Sequence, residues 1–235
     1  MEPSFSLDSD RRQVAEHTTR LLDTVAALED ASTRTLCEGW SRAHVVTHLA
    51  RNAEAIGRLS EWALTGVPQE MYPGGTARRD AAIEEGSSRE LPQLLDDLRS
   101  TASELAPKLD ALDGDLMATE VELRGGLRVP AQLLAFLRLR EVVFHHVDLM
   151  AGFTFDDVDD ELLTRFIDDA VTRLGWARSA PAVELRADSG ARWTLPGEGP
   201  TTVIGTLGGL MLWLARRDPT HVHVDGPVPE LPRGA

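Results

Sequence analysis

The sequence predicts a mainly α-helical N-terminal up-down four-helix bundle followed by a smaller α+β domain, and three observations predict it. Apolar residues recur at helical spacing through the first 150 residues, interrupted by loops marked with Gly and Pro. After Gly152 the texture changes to short alternating runs that read as strands set among further helices. The chain has 235 residues, room for two modest domains, which we place at 1–152 and 153–235.

Each element follows from local chemistry. Asp8 or Ser9 can cap a first helix whose apolar residues Val14, Leu21, Leu22, Val25 and Leu28 lead to Glu29-Asp30. A loop with Cys37-Glu38-Gly39-Trp40 follows, and Ser41 caps a second helix that runs through Val45, Val46, Leu49, Ile56 and Leu59 to about Leu64, where Gly66 and Pro68 stop it. The connection from Gln69 to about Ser88 is long enough to be a functional loop or a partly helical excursion. A third helix spans roughly Glu90 to Leu112. Val121 to Val129 reads as a hairpin turned at Gly125-Gly126, and Pro130 suits the first turn of a fourth helix ending near Met150. In the second part a helix from Val158 to about Arg178 precedes strands Val183–Ala187 and Arg192–Leu195, joined by Asp188-Ser189-Gly190. A helix from Thr206 to Arg217, a closing strand at His221-Val222-His223-Val224 and a Pro-rich tail complete it.

Composition limits the function classes. Apolar residues at 42% and charged residues at 26% suffice for a sizeable core. Lys and Arg number 24 against 38 Asp and Glu, a net charge of −14 that repels phosphate backbones and anionic lipid surfaces, so neither nucleic acid nor membrane is an expected partner. The single cysteine, Cys37, excludes an internal disulfide framework and fits a reducing cytoplasm; it is read as lying outside any metal-ligand pattern. The N-terminal residues lack the pattern of a signal peptide, and no run approaches the ~18 apolar residues of a membrane span, so a cytoplasmic protein is expected. Nothing in the sequence specifies an oligomeric state.

The chemistry concentrates on two helices. Residues four apart on a helix lie ~40° apart in azimuth and ~6 Å along the axis, so Glu141 and His145 share a face, and Asp148 returns to nearly the same stripe. Alone, the pair could be a surface ion pair. Its neighbours Val142, Val143, Val147 and Leu149, however, describe a helix buried on more than one side, where unpaired ionisable groups are costly. On the second helix His48 stands among Val45, Val46 and Leu49. His48 with Glu141 and His145 makes a His₂Glu set, the ligand type of catalytic zinc sites, in which one position stays open. Imidazole and carboxylate also accept other divalent metals. His44 could pair with His48 in a rival metal site, although a capping role in the first turn is the favoured reading. Asp148 is suited to hold a ligating histidine by its second nitrogen, or else to form a simple salt bridge. His146 points away and is read as a packing or solvent-facing residue. Trp40 and Asn52, close to the metal helix, are placed at the lining of a cofactor pocket; Trp62, Trp176, Trp193 and Trp213 are read as packing at helix or domain contacts.

These residues carry a resemblance to the mycothiol-dependent maleylpyruvate isomerase family, whose bundle belongs to the DinB-like metal-binding four-helix proteins. It rests on Gly39-Trp40-Ser41-Arg42-Ala43-His44-Val45-Val46-Thr47-His48-Leu49-Ala50-Arg51-Asn52, on Arg79 to Glu84, on Arg140-Glu141 through His145 to Leu149, and on Trp213 to Arg217. The resemblance implies that His48, Glu141 and His145 are zinc ligands, that mycothiol is a second cofactor, and that the C-terminal part is a sterol-carrier-like α+β domain. It also implies two functional arginines, which align with Arg79 and Arg217; Arg78 and Arg216 are the adjacent alternatives, and the chain reads Ala215-Arg216-Arg217 where the family usually has Thr-Gly-Arg.

The activity implied is the conversion of maleylpyruvate to fumarylpyruvate, a step of gentisate degradation. A carbon–carbon double bond does not rotate at ambient temperature, but a thiolate that adds and later leaves makes it single for long enough to turn. With Cys37 read as outside the site, an external low-molecular-weight thiol supplies the sulfur. The substrate is a small dicarboxylate, which the planar forks of Arg79 and Arg217 suit. The alternatives are a mycothiol S-transferase, in which the thiol stays in the product, and a non-catalytic metal- or lipid-binding protein.

Overall fold

The computed structural model describes residues 6–177, 179–197 and 199–232. The chain separates into two compact units, Met1–Ala151 and Gly152–Ala235. The first is a helical bundle and the second a small α+β unit. Among the described residues no helix is long and apolar enough to cross a membrane.

In the first unit α1 (Leu7–Ala26) starts at Ser6, whose side chain accepts from the Ser9 backbone N–H; neither Asp8 nor Ser9 is the cap, because the helix begins one turn earlier than its apolar stripe. That stripe, Val14, His17, Leu21 and Val25, is buried. Helix α2 (Arg42–Thr65) starts at Ser41, with His44 completing a capping box through its Nδ1, and ends on Gly66 at φ 73°, a left-handed cap that glycine adopts without strain. The long connection contains a helix of its own, α3 (Gly75–Ser87), which packs on α2. Its closest approach uses Gly86, where a Cβ would stand 2.4 Å from Thr47 Cγ2. Helix α4 (Leu91–Asp110) buries Leu94, Leu98, Leu105 and Leu109. The hairpin β1 (Glu120–Glu122) and β2 (Arg128–Pro130) pairs Val121 with Val129, so Pro130 ends a strand instead of opening a helix, and a short 3₁₀ turn leads into α5 (Leu134–Asp148).

The packing partners close a ring in the order α1, α5, α2, α4. Consecutive helices α1 and α2 therefore sit on a diagonal of the bundle, as do α4 and α5. The loop between α1 and α2 has to cross the end of α5: Leu36 N–H donates to Asp148 O at 3.1 Å, and Arg42 donates to Leu149 O at 2.8 Å. The crossing brings the Cys37 loop to the last turn of α5.

In the second unit α6 (Asp160–Gly175) is capped by Asp159. The end expected for it at Arg178 lies outside the described residues. Strands β3 (Val183–Ala187) and β4 (Arg192–Leu195) form the expected antiparallel pair. A strand absent from the sequence reading, β5 (Thr201–Gly205), runs parallel to β3 and is central in the sheet order β4-β3-β5-β6. Thr206 caps α7 (Leu207–Arg216), and β6 (Val222–Val224) closes the sheet against β5. Trp213 is buried, whereas Trp176 is 71% exposed, against the expectation that it packs. It follows the last turn of α6, outside the buried stripe of Leu163, Phe166, Ile167 and Leu174.

Candidate metal centre

Helix α2 is buried on most of its circumference because α3, α4 and α5 all pack on it, and this places the His48 imidazole inside the bundle facing α5. Across the interface α5 presents Glu141 and His145 one turn apart. His48 Nε2 lies 2.9 Å from Glu141 Oε2, and His145 Nε2 lies 3.5 Å from the same oxygen. The two imidazoles meet edge to face with centroids 4.6 Å apart. Two donors bound at ~2.0–2.1 Å to one tetrahedral ion stand ~3.4 Å apart, close to these separations, and the donor set of two neutral imidazoles and a carboxylate suits zinc. The residues present therefore fit such an ion.

Behind His145, its Nδ1 donates to Asp148 Oδ2 at 2.7 Å, and Asp148 is fully buried. This is the arrangement that fixes a ligating ring in one orientation. Cys37 is also here. Its Sγ donates to the same Asp148 oxygen at 3.1 Å and lies 3.8 Å from His145 Nδ1, so Cys37, His145 and Asp148 form a second possible ligand group sharing one histidine. The sequence reading that set Cys37 apart from the site is thus corrected. The loop crossing over α5 brings it in, which no local periodicity reveals.

The electrostatics follow from burial and pairing. Burial, only partly offset by the hydrogen bond to Glu141, pushes His48 down to about 4, so its ring is neutral at pH 7. Burial alone would raise Glu141, yet hydrogen bonds from His145 and His48 hold it well below the usual carboxylate range. Burial would likewise lower His145, but its bonds to Asp148, Cys37 and Glu141 hold it well above an ordinary imidazole. Metal-free, the cluster at neutral pH is a carboxylate between one neutral and one charged imidazole.

The cluster forms one wall of a cavity of about 370 Å³. Arg79 enters it from α3: Nη2 donates to His48 Nδ1 at 3.0 Å and Nη1 to Asp80 at 2.8 Å, and the guanidinium carbon lies 5.8 Å from the ring centroids of both Trp40 and Tyr72. Arg78, its neighbour, is exposed on α3. Trp40 lines the cavity with its ring 5.3 Å from that of His48. Asn52 lines it too, and its Oδ1 accepts from Arg138 Nη1 at 2.7 Å. Arg138 is wholly buried, and burial lowers it to about 10, which leaves it charged at pH 7. Tyr72 lines the cavity with Asn52 and Arg79, and burial followed by the Glu141 charge raises its hydroxyl.

The bundle thus gathers His48, Glu141, His145, Arg79, Trp40 and Asn52. Arg217 belongs to the second unit, where it stands at the end of α7 with φ 63° and donates to the carbonyls of Leu214 and Pro232. Arg216 donates to its neighbour's carbonyl, Ala215 O, at 3.0 Å. His44 reaches Glu84 on α3 at 3.2 Å with its Nε2 and caps with Nδ1, so it is turned away from His48. His146 is buried and meets Thr24 Oγ1 at 2.8 Å; His221 and His223 are exposed. The sequence reading missed Cys37, Tyr72 and Arg138, and also Arg124, which lines the same cavity. For Tyr72, the only tyrosine, its place just before Pro73-Gly74-Gly75 was an available signal.

The chain is similar to known proteins over most of its length. The family model of the mycothiol maleylpyruvate isomerase N-terminal domain matches residues 14–150. A crystal structure of a mycothiol-dependent maleylpyruvate isomerase in which one histidine is replaced by alanine superposes with a TM-score of 0.91 at 27% identity, over 97% of each chain. A second crystal structure of a mycothiol-dependent maleylpyruvate isomerase superposes with a TM-score of 0.88 at 28% identity, again over 97% of each chain. No curated protein matches.

Proposed function

The chain belongs to the mycothiol maleylpyruvate isomerase family, and on that premise we propose that it isomerises maleylpyruvate to fumarylpyruvate with a low-molecular-weight thiol and a zinc ion held by His48, Glu141 and His145. The observation that carries the proposal is the convergence of those three ligand atoms from two helices at the wall of an open cavity that also holds Arg79. A purely structural metal site would be sealed. When bound, the metal supplies a Lewis acid that lowers the pKa of a thiol, so that thiolate is present near neutrality.

The protein's own residues do the rest. Asp148 holds His145 Nδ1–H, which directs Nε2 to Glu141 and the shared ligand position. His48 is neutral, and Arg79, a donor only, occupies its Nδ1; the ring proton therefore lies on Nε2 and points at Glu141. Were Nε2 to hold an ion, that proton would sit on Nδ1 and face another donor. Arg79 would then turn from His48, and its fork would be available to a substrate carboxylate. Trp40 and Tyr72 flank the guanidinium, so it turns within a fixed slot.

The isomerisation needs a bond to one alkene carbon, rotation about the resulting single bond, and departure of the same sulfur. Charge grows on the substrate's enolate as that bond forms, and a guanidinium already held beside it stabilises that charge without the reorganisation that water needs. Arg217 is the second arginine we assign to substrate. The test is to add purified protein, zinc and mycothiol to maleylpyruvate and follow fumarylpyruvate. Catalytic conversion with the thiol recovered unchanged is expected; thiol retained in the product makes the protein an S-transferase, and no turnover by metal-loaded protein removes the substrate assignment.

A further inference from the structure

Next to the metal cavity lies a larger one, about 760 Å³, and the two share Met71, Tyr72 and Arg124 as a common wall. The segment before α3 and the β1–β2 hairpin enclose it, held together where the Arg124 backbone N–H meets Met71 Sδ at 3.4 Å. We propose that this second cavity binds the hydroxyl-rich, sugar-like body of the thiol cofactor, whose sulfur passes over Met71 and Tyr72 to the metal cavity. The inference rests on the thiol-dependent reading of the metal site and says where the rest of the thiol lies.

Size is the first reason. Small-ligand pockets run to ~300–1,000 Å³, and the metal cavity at about 370 Å³ is near the lower end, enough for a small dicarboxylate and a thiol head but not for a disaccharide-sized body as well. Chemistry is the second. Trp62 and Tyr72 offer broad apolar faces with a polar edge, the surface on which a sugar ring can rest, and Gln69, Glu122 and Arg128 add donors and acceptors around them. Gly125 and Gly126, at φ 92° and 84°, make the hairpin turn, and a Cβ on either would meet nothing within 4 Å, so bare backbone faces open space there.

Charge is the third reason, and it decides between ligands. Glu70 and Glu122 balance Arg124 and Arg128 around the larger cavity, and Glu122 and Arg128 pair with each other at 3.6 Å. A balanced wall suits a neutral polyol. The dianionic substrate is drawn instead to the metal cavity, where Arg79 stands beside the ligand cluster.

The test uses Trp62→Ala, at a half-buried residue, and the double variant Glu122→Ala/Arg128→Ala, at two exposed ones, each checked for retained helix content by circular dichroism, with two thiols: mycothiol, and N-acetylcysteine, which lacks the sugar-like body. The expected result is a roughly tenfold rise in KM for mycothiol at unchanged kcat, with both constants for N-acetylcysteine unmoved; equal shifts for both thiols, or none for either, overturn the proposal. A second measurement is independent of turnover. The sulfur-free glucosaminyl-inositol portion of mycothiol is titrated calorimetrically into the metal-loaded wild type and into both variants. Binding by the wild type and its loss in both variants sustain the assignment even if no isomerisation is found, whereas isomerase activity without such binding, or binding that the variants keep, defeats this proposal and leaves the functional reading intact.

Discussion

His48 and Glu141, 93 positions apart in sequence, meet with Nε2 and Oε2 2.9 Å from each other across the interface of α2 and α5. The contact joins a ring that burial keeps neutral to a carboxylate kept ionised by its histidine partners. A half-buried carboxylate at a helix interface is costly unless it is paired, and here both pairs are imidazoles whose other nitrogens are already engaged. Such a group has the charge and the free lone pairs that a divalent cation needs.

Removing any one ligand should therefore remove the metal. His48→Ala, Glu141→Ala and His145→Ala are each expected to lose most of the bound ion, while Asp148→Asn, which acts through His145, weakens affinity by ~10–100-fold. Elemental analysis of the purified proteins checks the first, and a chelator competition the second. Circular dichroism should show the helices retained in all four. Metal content unchanged in the three ligand variants would place the ion elsewhere.

Loading should also release protons, with a definite source. His48, at about 4, carries no charge to lose at pH 7. His145 is held well above an ordinary imidazole by Asp148, Cys37 and Glu141, so in the metal-free protein it is charged at pH 7, and it has to give up its Nε2 proton to act as a ligand. About one proton per ion is expected, and metal affinity rises with pH until His145 is neutral without metal. Calorimetric titration in buffers of different ionisation enthalpy measures the number. In Asp148→Asn, His145 loses its strongest support, and the release at pH 7 should shrink.

Cys37 is the residue whose role the structure changes. Its thiol lines the metal cavity and donates to Asp148, so it is a possible protein nucleophile in a reaction assigned to an external thiol. The two assignments differ in what Cys37→Ser does. The serine hydroxyl can still donate to Asp148, so with an external thiol as nucleophile the turnover should stay within about fivefold, the effect of a neutral hydrogen bond worth ~1 kcal/mol. A loss of turnover that added thiol does not restore would make Cys37 the reacting sulfur.

What was legible in the sequence, and what was not, divides by the range of the interactions. Glu141 and His145 are one helical turn apart and His48 interrupts an apolar face, so local periodicity suffices to single out all three, and the structure puts them in one cluster. Cys37 could not be found this way, because its position depends on α1 and α2 being diagonal in the bundle, a fact of tertiary packing. Tyr72 and Arg124 come from a loop and a hairpin whose aim depends on several left-handed glycines. Strand β5 was missed because Thr201 to Ile204 is a short β-branched run between Pro200 and a helix, and it becomes a strand by pairing with both β3 and β6.

Arg79 offers a cleaner test of substrate binding than the ligands do, because it touches His48 without belonging to the donor set. Arg79→Ala is expected to keep the metal and to lower kcat/KM for the dicarboxylate by ~10²–10³-fold, the scale for loss of a positioned group that stabilises developing charge. Arg79→Lys should recover only part of this, since an ammonium lacks the bidentate fork. The Trp40 ring beside Arg79 reports the other half of the idea. Its fluorescence should change on metal loading of the wild type and much less in Arg79→Ala.

Arg217 combines two roles that one substitution can separate. It is a non-glycine residue at φ 63°, a conformation that costs an L-residue ~1–2 kcal/mol, and its guanidinium satisfies the carbonyls of Leu214 and Pro232. Glycine is the preferred residue at such a helix end. Arg217→Gly therefore relieves the backbone while deleting the side chain's hydrogen bonds, two effects of similar size and opposite sign, and the melting temperature should move by only a few degrees. If the guanidinium also binds substrate, kcat/KM should still fall by ~10²-fold in a protein that is folded and metal-loaded. Full activity in Arg217→Gly would reduce this residue to a helix cap.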